Sequence, residues 1–89
     1  MNTFHLTISD VDGSAFDGPA VRLSLRGTEG DLAVMAGHVP FLTAVRPGEC
    51  RVLLESGGVR RGRTDGGLLT VTHEKTILLT RGFAWQEDE

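Results

Sequence analysis

The sequence predicts an all-β domain, a flattened β-sandwich or barrel of about ten short, mostly antiparallel strands. Three observations carry that reading. Apolar residues alternate with polar ones in short runs, the period of a strand with one buried face. Twelve glycines in 89 residues punctuate those runs without a collagen-like spacing, a share nearly double the usual one of about 7%. No stretch of about 11 residues keeps an apolar stripe at the helical period behind a capping residue.

The elements follow in order. Phe4, Leu6 and Ile8 alternate with His5, Thr7 and Ser9, which places three apolar side chains on one face of a strand. Asp10-Val11-Asp12-Gly13 ends it. Ala15-Phe16 reads as a brief strand, closed by a turn at Asp17-Gly18-Pro19 because proline and glycine together favour chain reversal. Val21, Leu23 and Leu25 alternate again. Gly27-Thr28-Glu29-Gly30-Asp31 is a polar loop, and the continuous apolar run Leu32-Ala33-Val34-Met35 is expected to be covered on both faces. Ala36-Gly37-His38-Val39-Pro40 is a turn before a strand from Phe41 to Val45, which Arg46-Pro47-Gly48 stops. Cys50 to Glu55 and Val59 to Thr64 flank Ser56-Gly57-Gly58, the clearest hairpin. Asp65-Gly66-Gly67 leads into Leu68 to Thr72, and His73-Glu74-Lys75 separates that strand from Thr76 to Thr80. The β-sandwich is expected over residues 1–83, with 84–89 an acidic tail.

Composition narrows the function classes. The chain is short enough for one core only, its apolar share is 39% and its charged share 24%. A formal charge of −3 gives no electrostatic footprint for nucleic acid. Cys50 is the single cysteine, so no internal disulfide forms, and no apolar run reaches the roughly 18 residues of a membrane span. The start of the chain lacks the basic and apolar pattern of a secretory signal. A soluble intracellular chain is expected, meeting a membrane only through another protein.

Catalytic apparatus is not legible. His5, His38 and His73 lie outside short metal-ligand spacing. Asp10-Val11-Asp12-Gly13 resembles the start of a calcium loop, yet its glycine comes too early and no glutamate closes the loop. Cys50 sits in an apolar strand, where a small buried residue is the ordinary reading. Neither a nucleophile elbow nor a phosphate-binding Gly-Lys-Ser segment occurs. No catalytic, cofactor or metal site is therefore expected. Arg60, Arg61 and Arg63 make a basic cluster on one hairpin strand, suited either to contact with an acidic partner or to guarding a sheet edge, and a solvated sheet edge is the ordinary reading. The residues taken alone indicate a binding or scaffolding module.

One segment is far more specific. Gly27-Thr28-Glu29-Gly30-Asp31-Leu32-Ala33-Val34-Met35-Ala36-Gly37-His38-Val39-Pro40-Phe41-Leu42-Thr43-Ala44-Val45-Arg46-Pro47-Gly48 closely resembles the signature of the epsilon subunit of F-type ATP synthase, delta in mitochondria, in its amino-terminal β-sandwich domain. The resemblance continues through Phe4-His5-Leu6-Thr7-Ile8, Phe16-Asp17-Gly18, Gly66-Gly67-Leu68-Leu69-Thr70-Val71 and Thr76-Ile77-Leu78-Leu79, and covers residues 3–80 in order. Ala36 stands where a proline is common, and Asp31 replaces a frequent glutamate.

That resemblance implies a non-catalytic central-stalk subunit of a proton-translocating F-type ATP synthase. Such a subunit joins gamma to the c-ring and couples ion-driven rotation to ATP synthesis. It is peripheral, on the cytoplasmic face of the bacterial inner membrane, with no cofactor. By the same resemblance Asp10, His38 and Thr43 face gamma, while Thr28, Glu29, Gly30 and Asp31 face the c-ring. Family members usually continue as two helices, whereas this chain stops at Glu89, so inhibition by those helices and nucleotide binding are not carried over. The alternative is a free-standing β-sandwich module that binds an unrelated protein.

Overall fold

The computed structural model describes residues 2–86. Its ten strands are β1 (Phe4–Asp10), β2 (Gly13–Ala20), β3 (Arg22–Gly27), β4 (Gly30–Met35), β5 (Phe41–Val45), β6 (Gly48–Leu53), β7 (Val59–Thr64), β8 (Gly67–Val71), β9 (Thr76–Thr80) and β10 (Phe83–Trp85). No helix occurs among the described residues.

The ladder runs β10-β7-β6-β3-β5-β8-β9-β1-β2, with β4 hydrogen-bonded to β3. Strand β3 makes the corner. It pairs with β4 along its whole length, with β6 through Arg22 to Ser24, and with β5 only at Gly27 and Val45. The sheet therefore folds into two layers, β10-β7-β6-β3-β4 and β5-β8-β9-β1-β2. Every pairing is antiparallel except β1 with β9.

The core lies between the layers, built from the inward positions that alternation dictates. Leu6 and Ile8 of β1, Leu23 and Leu25 of β3, Val52 of β6, Leu69 of β8 and Leu78 of β9 are all buried. Cys50 joins them, and burial, with a smaller contribution from the neighbouring Glu49 carboxylate, pushes its thiol up to about 12. The thiolate needed for nucleophilic chemistry is thus suppressed at neutral pH.

The end strands β10 and β2 are closed on each other by one residue. Trp85 Nε1 donates to the Ala15 carbonyl at 3.1 Å, and its ring stands edge-on to Phe16 and Phe83. Gly62 makes room for this cluster: a Cβ there would lie 2.8 Å from Phe83 Cε2 and 3.1 Å from Trp85 Cε3.

Turns gather at two ends of the sandwich. One end carries the β1–β2, β3–β4, β5–β6, β7–β8 and β9–β10 connections, and the other carries β2–β3, β4–β5, β6–β7 and β8–β9. A buried threonine pair locks the first end. Thr80 Oγ1 reaches the carbonyls of Gly66 at 3.1 Å and Gly82 at 2.9 Å. Its single proton is committed there, so in the 2.5 Å contact between the two hydroxyls Thr64 is the donor. Thr64 Oγ1 in turn accepts the Gly66 amide at 3.0 Å.

Four local expectations need correction. Asp17-Gly18-Pro19 is not a turn: β2 is continuous, with Asp17, Gly18 and Pro19 opposite Thr7, Leu6 and His5. As the terminal strand of the ladder, β2 tolerates a residue without an amide proton. Leu32 to Met35 is not covered on both faces: β4 pairs only with β3, Val34 is buried and Met35 is half exposed. The strand of Arg60, Arg61 and Arg63 is not an edge, because β7 is paired on both sides by β6 and β10. Arg60 moreover lays its guanidinium 3.9 Å from the centre of the Trp85 ring, a cation–π contact. Strand β10 carries Ala84 and Trp85, with Gln86 N donating to Arg61 O, whereas Glu87-Asp88-Glu89 lie outside the described residues.

Candidate functional site

A sandwich strand normally turns one face to the core and a polar face to water. Strands β8 and β9 depart from this, because Leu68-Leu69 and Ile77-Leu78-Leu79 are apolar at successive positions. Whichever leucine turns inward, its neighbour is left outside. Leu69 and Leu78 are fully buried, while Leu68 and Leu79 remain 40% and 52% exposed.

Register assembles the outward residues into rows. Ala44 of β5 is opposite Leu68 of β8, which is opposite Leu79 of β9. In the adjacent row Leu42, 63% exposed, is opposite Thr70, and Thr70 is opposite Ile77. Cross-strand neighbours lie about 5 Å apart, so these side chains form one apolar surface over three strands. Covering its half-exposed leucines stabilises a complex by roughly 1 kcal/mol each, from about 25 cal/mol per Å² of apolar area. Such a cluster offers apolar contact area that a partner can cover.

The residues expected at the gamma contact are not gathered in one place. His38 sits at the second end, in the β4–β5 turn, where its amide donates to Met35 O at 3.2 Å and its ring lies 5.0 Å from that of Phe41. Gly37 beside it has φ of +84°, which a side chain resists. Thr43 occupies an inward position of β5 between Phe41 and Val45, and its hydroxyl donates to Ala44 O at 3.3 Å. Asp10 lies at the first end, where its carboxylate accepts the Asp12 amide at 2.8 Å and shapes the β1–β2 turn. The span of β1 separates it from the end that carries His38.

The residues expected at the c-ring form a single projection. Gly27 and Gly30 close the β3–β4 hairpin, with Thr28 and Glu29 at its exposed tip and Asp31 second in β4. Asp31 Oδ1 lies 3.7 Å from Arg26 Nε across the strands. Asp10 shares this end of the sandwich with the hairpin, although several strands separate them in the ladder.

Spacing along the chain gave no hint that the histidines are neighbours. His5, His38 and His73 all line one cavity of about 200 Å³ at the second end. His5 Nε2 is 2.6 Å from Asp17 Oδ1, and among the described residues no group of three His, Cys, Asp or Glu is placed to hold a metal ion. Leu68 and Leu79 were missed as functional candidates, although paired leucines in a short strand were the available signal.

Comparison with known proteins places the chain in a family. The family profile described as ATP synthase, Delta/Epsilon chain, beta-sandwich domain matches residues 3–86. A curated relative from Acetobacterium woodii, ATP synthase epsilon chain, sodium ion specific, is 35% identical over 86 residues, covering 97% of this chain and 65% of its own length. In fold, the chain is similar to one in the Euglena gracilis mitochondrial ATP synthase OSCP/F1/c-ring structure. The TM-score is 0.88 at 24% identity, over 93% of this chain and 53% of that one. A chain of the Tetrahymena thermophila mitochondrial ATP synthase central stalk/c-ring gives 0.76 at 15% identity, over 93% and 66%. The present chain thus spans about two thirds or less of each of these relatives.

Proposed function

We propose a function that starts from membership: the chain belongs to the β-sandwich family of ATP synthase delta and epsilon chains, and within it we read the chain as a non-catalytic rotor element. In this reading it is a peripheral component of the synthase on the cytoplasmic face of a bacterial inner membrane. It joins the gamma subunit to the c-ring so that ion-driven rotation reaches the catalytic subunits.

The observation that carries the reading is the outward apolar surface of Leu42, Leu68 and Leu79. A coupling subunit needs a rigid body with a face that binds and a separate projection that touches a second partner. Here the sandwich supplies the body, the apolar surface a face suited to gamma, and the Thr28–Asp31 hairpin tip the projection toward the c-ring. Glu29 and Asp31 give that tip a negative charge that favours basic or polar loops, each exposed contact contributing about 0.2 to 1 kcal/mol.

Co-purification tests the role. Tagged gamma subunit from the same organism should retain this chain, and the pair should retain the c-ring. Recovery with unrelated proteins and never with gamma would overturn the rotor reading. Within a coupled enzyme, Glu29→Lys with Asp31→Lys should reduce ion pumping and leave the melting temperature of the free domain unchanged.

A further inference from the structure

The opposite layer has a different chemistry. On β3, β6 and β7 the outward positions carry Arg22, Arg26, Arg51, Arg61 and Arg63. Among the described residues two carboxylates share this face, Glu49 and Asp31. Five arginines against two acids give these described residues a net +3, in a chain whose formal charge is −3. The surface is concave, an open groove of about 760 Å³ reaching from Arg22 and Ser24 to Pro47, Gly48 and Arg63.

This arrangement is not explained by stability. Arg51 and Arg61 are direct cross-strand partners, and like charges so placed oppose pairing. Glu49 relieves both, with its oxygens 3.1 Å from Arg51 Nε and 3.9 Å from Arg61 Nε. Arg22 and Arg63 have no ion pair among the described residues.

We propose that this groove docks an acidic stretch of polypeptide in extended conformation. Arg63 lines the groove and Arg61 stands just beyond its lining, two residues away on the same strand face, a repeat of about 7 Å. Alternate side chains of an extended peptide share that repeat, so successive carboxylates each meet a guanidinium in the planar geometry that arginine offers. Glu49 already meets one guanidinium of the groove, through Arg51 Nε at 3.1 Å, and Asp31 approaches Arg26 Nε at 3.7 Å. The same two carboxylates disfavour a polyphosphate, which would bring its concentrated charge against them, whereas a peptide spaces its charges between them. A lipid surface is disfavoured by the concave shape. The groove lies on the layer opposite the apolar surface but shares Arg26 and Asp31 with the β3–β4 hairpin of the rotor reading, so peptide affinity is measured on the free chain, apart from gamma and the c-ring.

The test is fluorescence anisotropy of a labelled peptide of alternating Glu and Ser with the 89-residue chain, at about 50 mM salt where exposed charges are weakly screened. The peptide should bind, its Gln-for-Glu counterpart should not, and added salt should weaken the complex. Arg22→Glu with Arg63→Glu should lower affinity about tenfold or more. Arg22→Gln with Arg63→Gln gives the same readout should charge reversal disturb folding. Leu68→Lys with Leu79→Glu, on the other layer, should leave peptide affinity unchanged. Absence of binding, or binding that survives both arginine variants, would overturn the proposal. So would displacement by inorganic tripolyphosphate at lower concentration than by unlabelled peptide, or retention by phosphatidylglycerol vesicles without peptide binding.

Discussion

Replacing either buried threonine at the first end of the sandwich by valine keeps the volume and removes only the hydroxyl, so the cost is read in hydrogen bonds. In Thr80→Val the Gly66 and Gly82 carbonyls each keep another donor, the Arg81 amide at 3.0 Å and the Asp65 amide at 2.9 Å. What is lost is the acceptor of the Thr64 hydroxyl, left buried and unpaired. In Thr64→Val the loss falls instead on the Gly66 amide, whose only described partner is Thr64 Oγ1 at 3.0 Å. Each orphaned buried group costs about 1 to 3 kcal/mol. For a domain of this size about 2 kcal/mol corresponds to a melting temperature lower by roughly 8 to 16 °C. The double variant removes the shared hydroxyl contact once rather than twice, so its destabilisation should fall short of the sum by at least about 0.5 kcal/mol. Urea and thermal unfolding followed by circular dichroism give all three values. Single variants that melt within about 0.5 kcal/mol of the parent, or strict additivity, would refute the assigned network.

Further outcomes follow from the packing of the same strands. Gly67→Ala should destabilise by about 3 kcal/mol or more, because a Cβ there meets the Leu79 carbonyl oxygen and sits 2.8 Å from Thr80 Cα, backbone that cannot move without opening the β8–β9 ladder; a thermal melt checks it. Cys50 keeps its proton in the fold to about pH 12 while the unfolded thiol loses it near 9.0. The unfolded state therefore binds fewer protons in that window, and stability should fall as pH rises through it by up to about 1.4 kcal/mol per pH unit; Cys50→Ala should flatten this part of a stability–pH curve. Gly37→Val should destabilise the free domain by about 1 to 3 kcal/mol, since φ there is +84°, whereas His38→Ala should shift a melt only slightly.

The sequence made the strand positions and most turns legible because both depend on local chemistry: alternation names a strand, and Gly57 and Gly66 mark reversals at positive φ. Strand neighbours were not local, and there the reading failed. Pro19 reads as a turn unless it is known that β2 ends the ladder. Arg60 to Arg63 reads as an exposed edge unless β10 is known to return beside β7. For the same reason the arginines of β3, β6 and β7 are scattered in the chain and become one surface only in register. The family signature reached further than periodicity, naming a hairpin tip that the fold does project. It did not reveal that Asp10 and His38 stand at opposite ends, nor that the outward leucines align.

The most direct test of the account is the affinity of this chain for the gamma subunit of the same organism, measured by calorimetry for the parent and for Leu68→Lys with Leu79→Glu. That variant puts opposite charges at cross-strand positions and keeps the net charge, so the fold should melt as the parent does. The account predicts tight binding by the parent and a loss of about tenfold or more in the variant, the equivalent of about 1.4 kcal/mol. Equal affinity in a normally folded variant, or no binding by the parent, would contradict it.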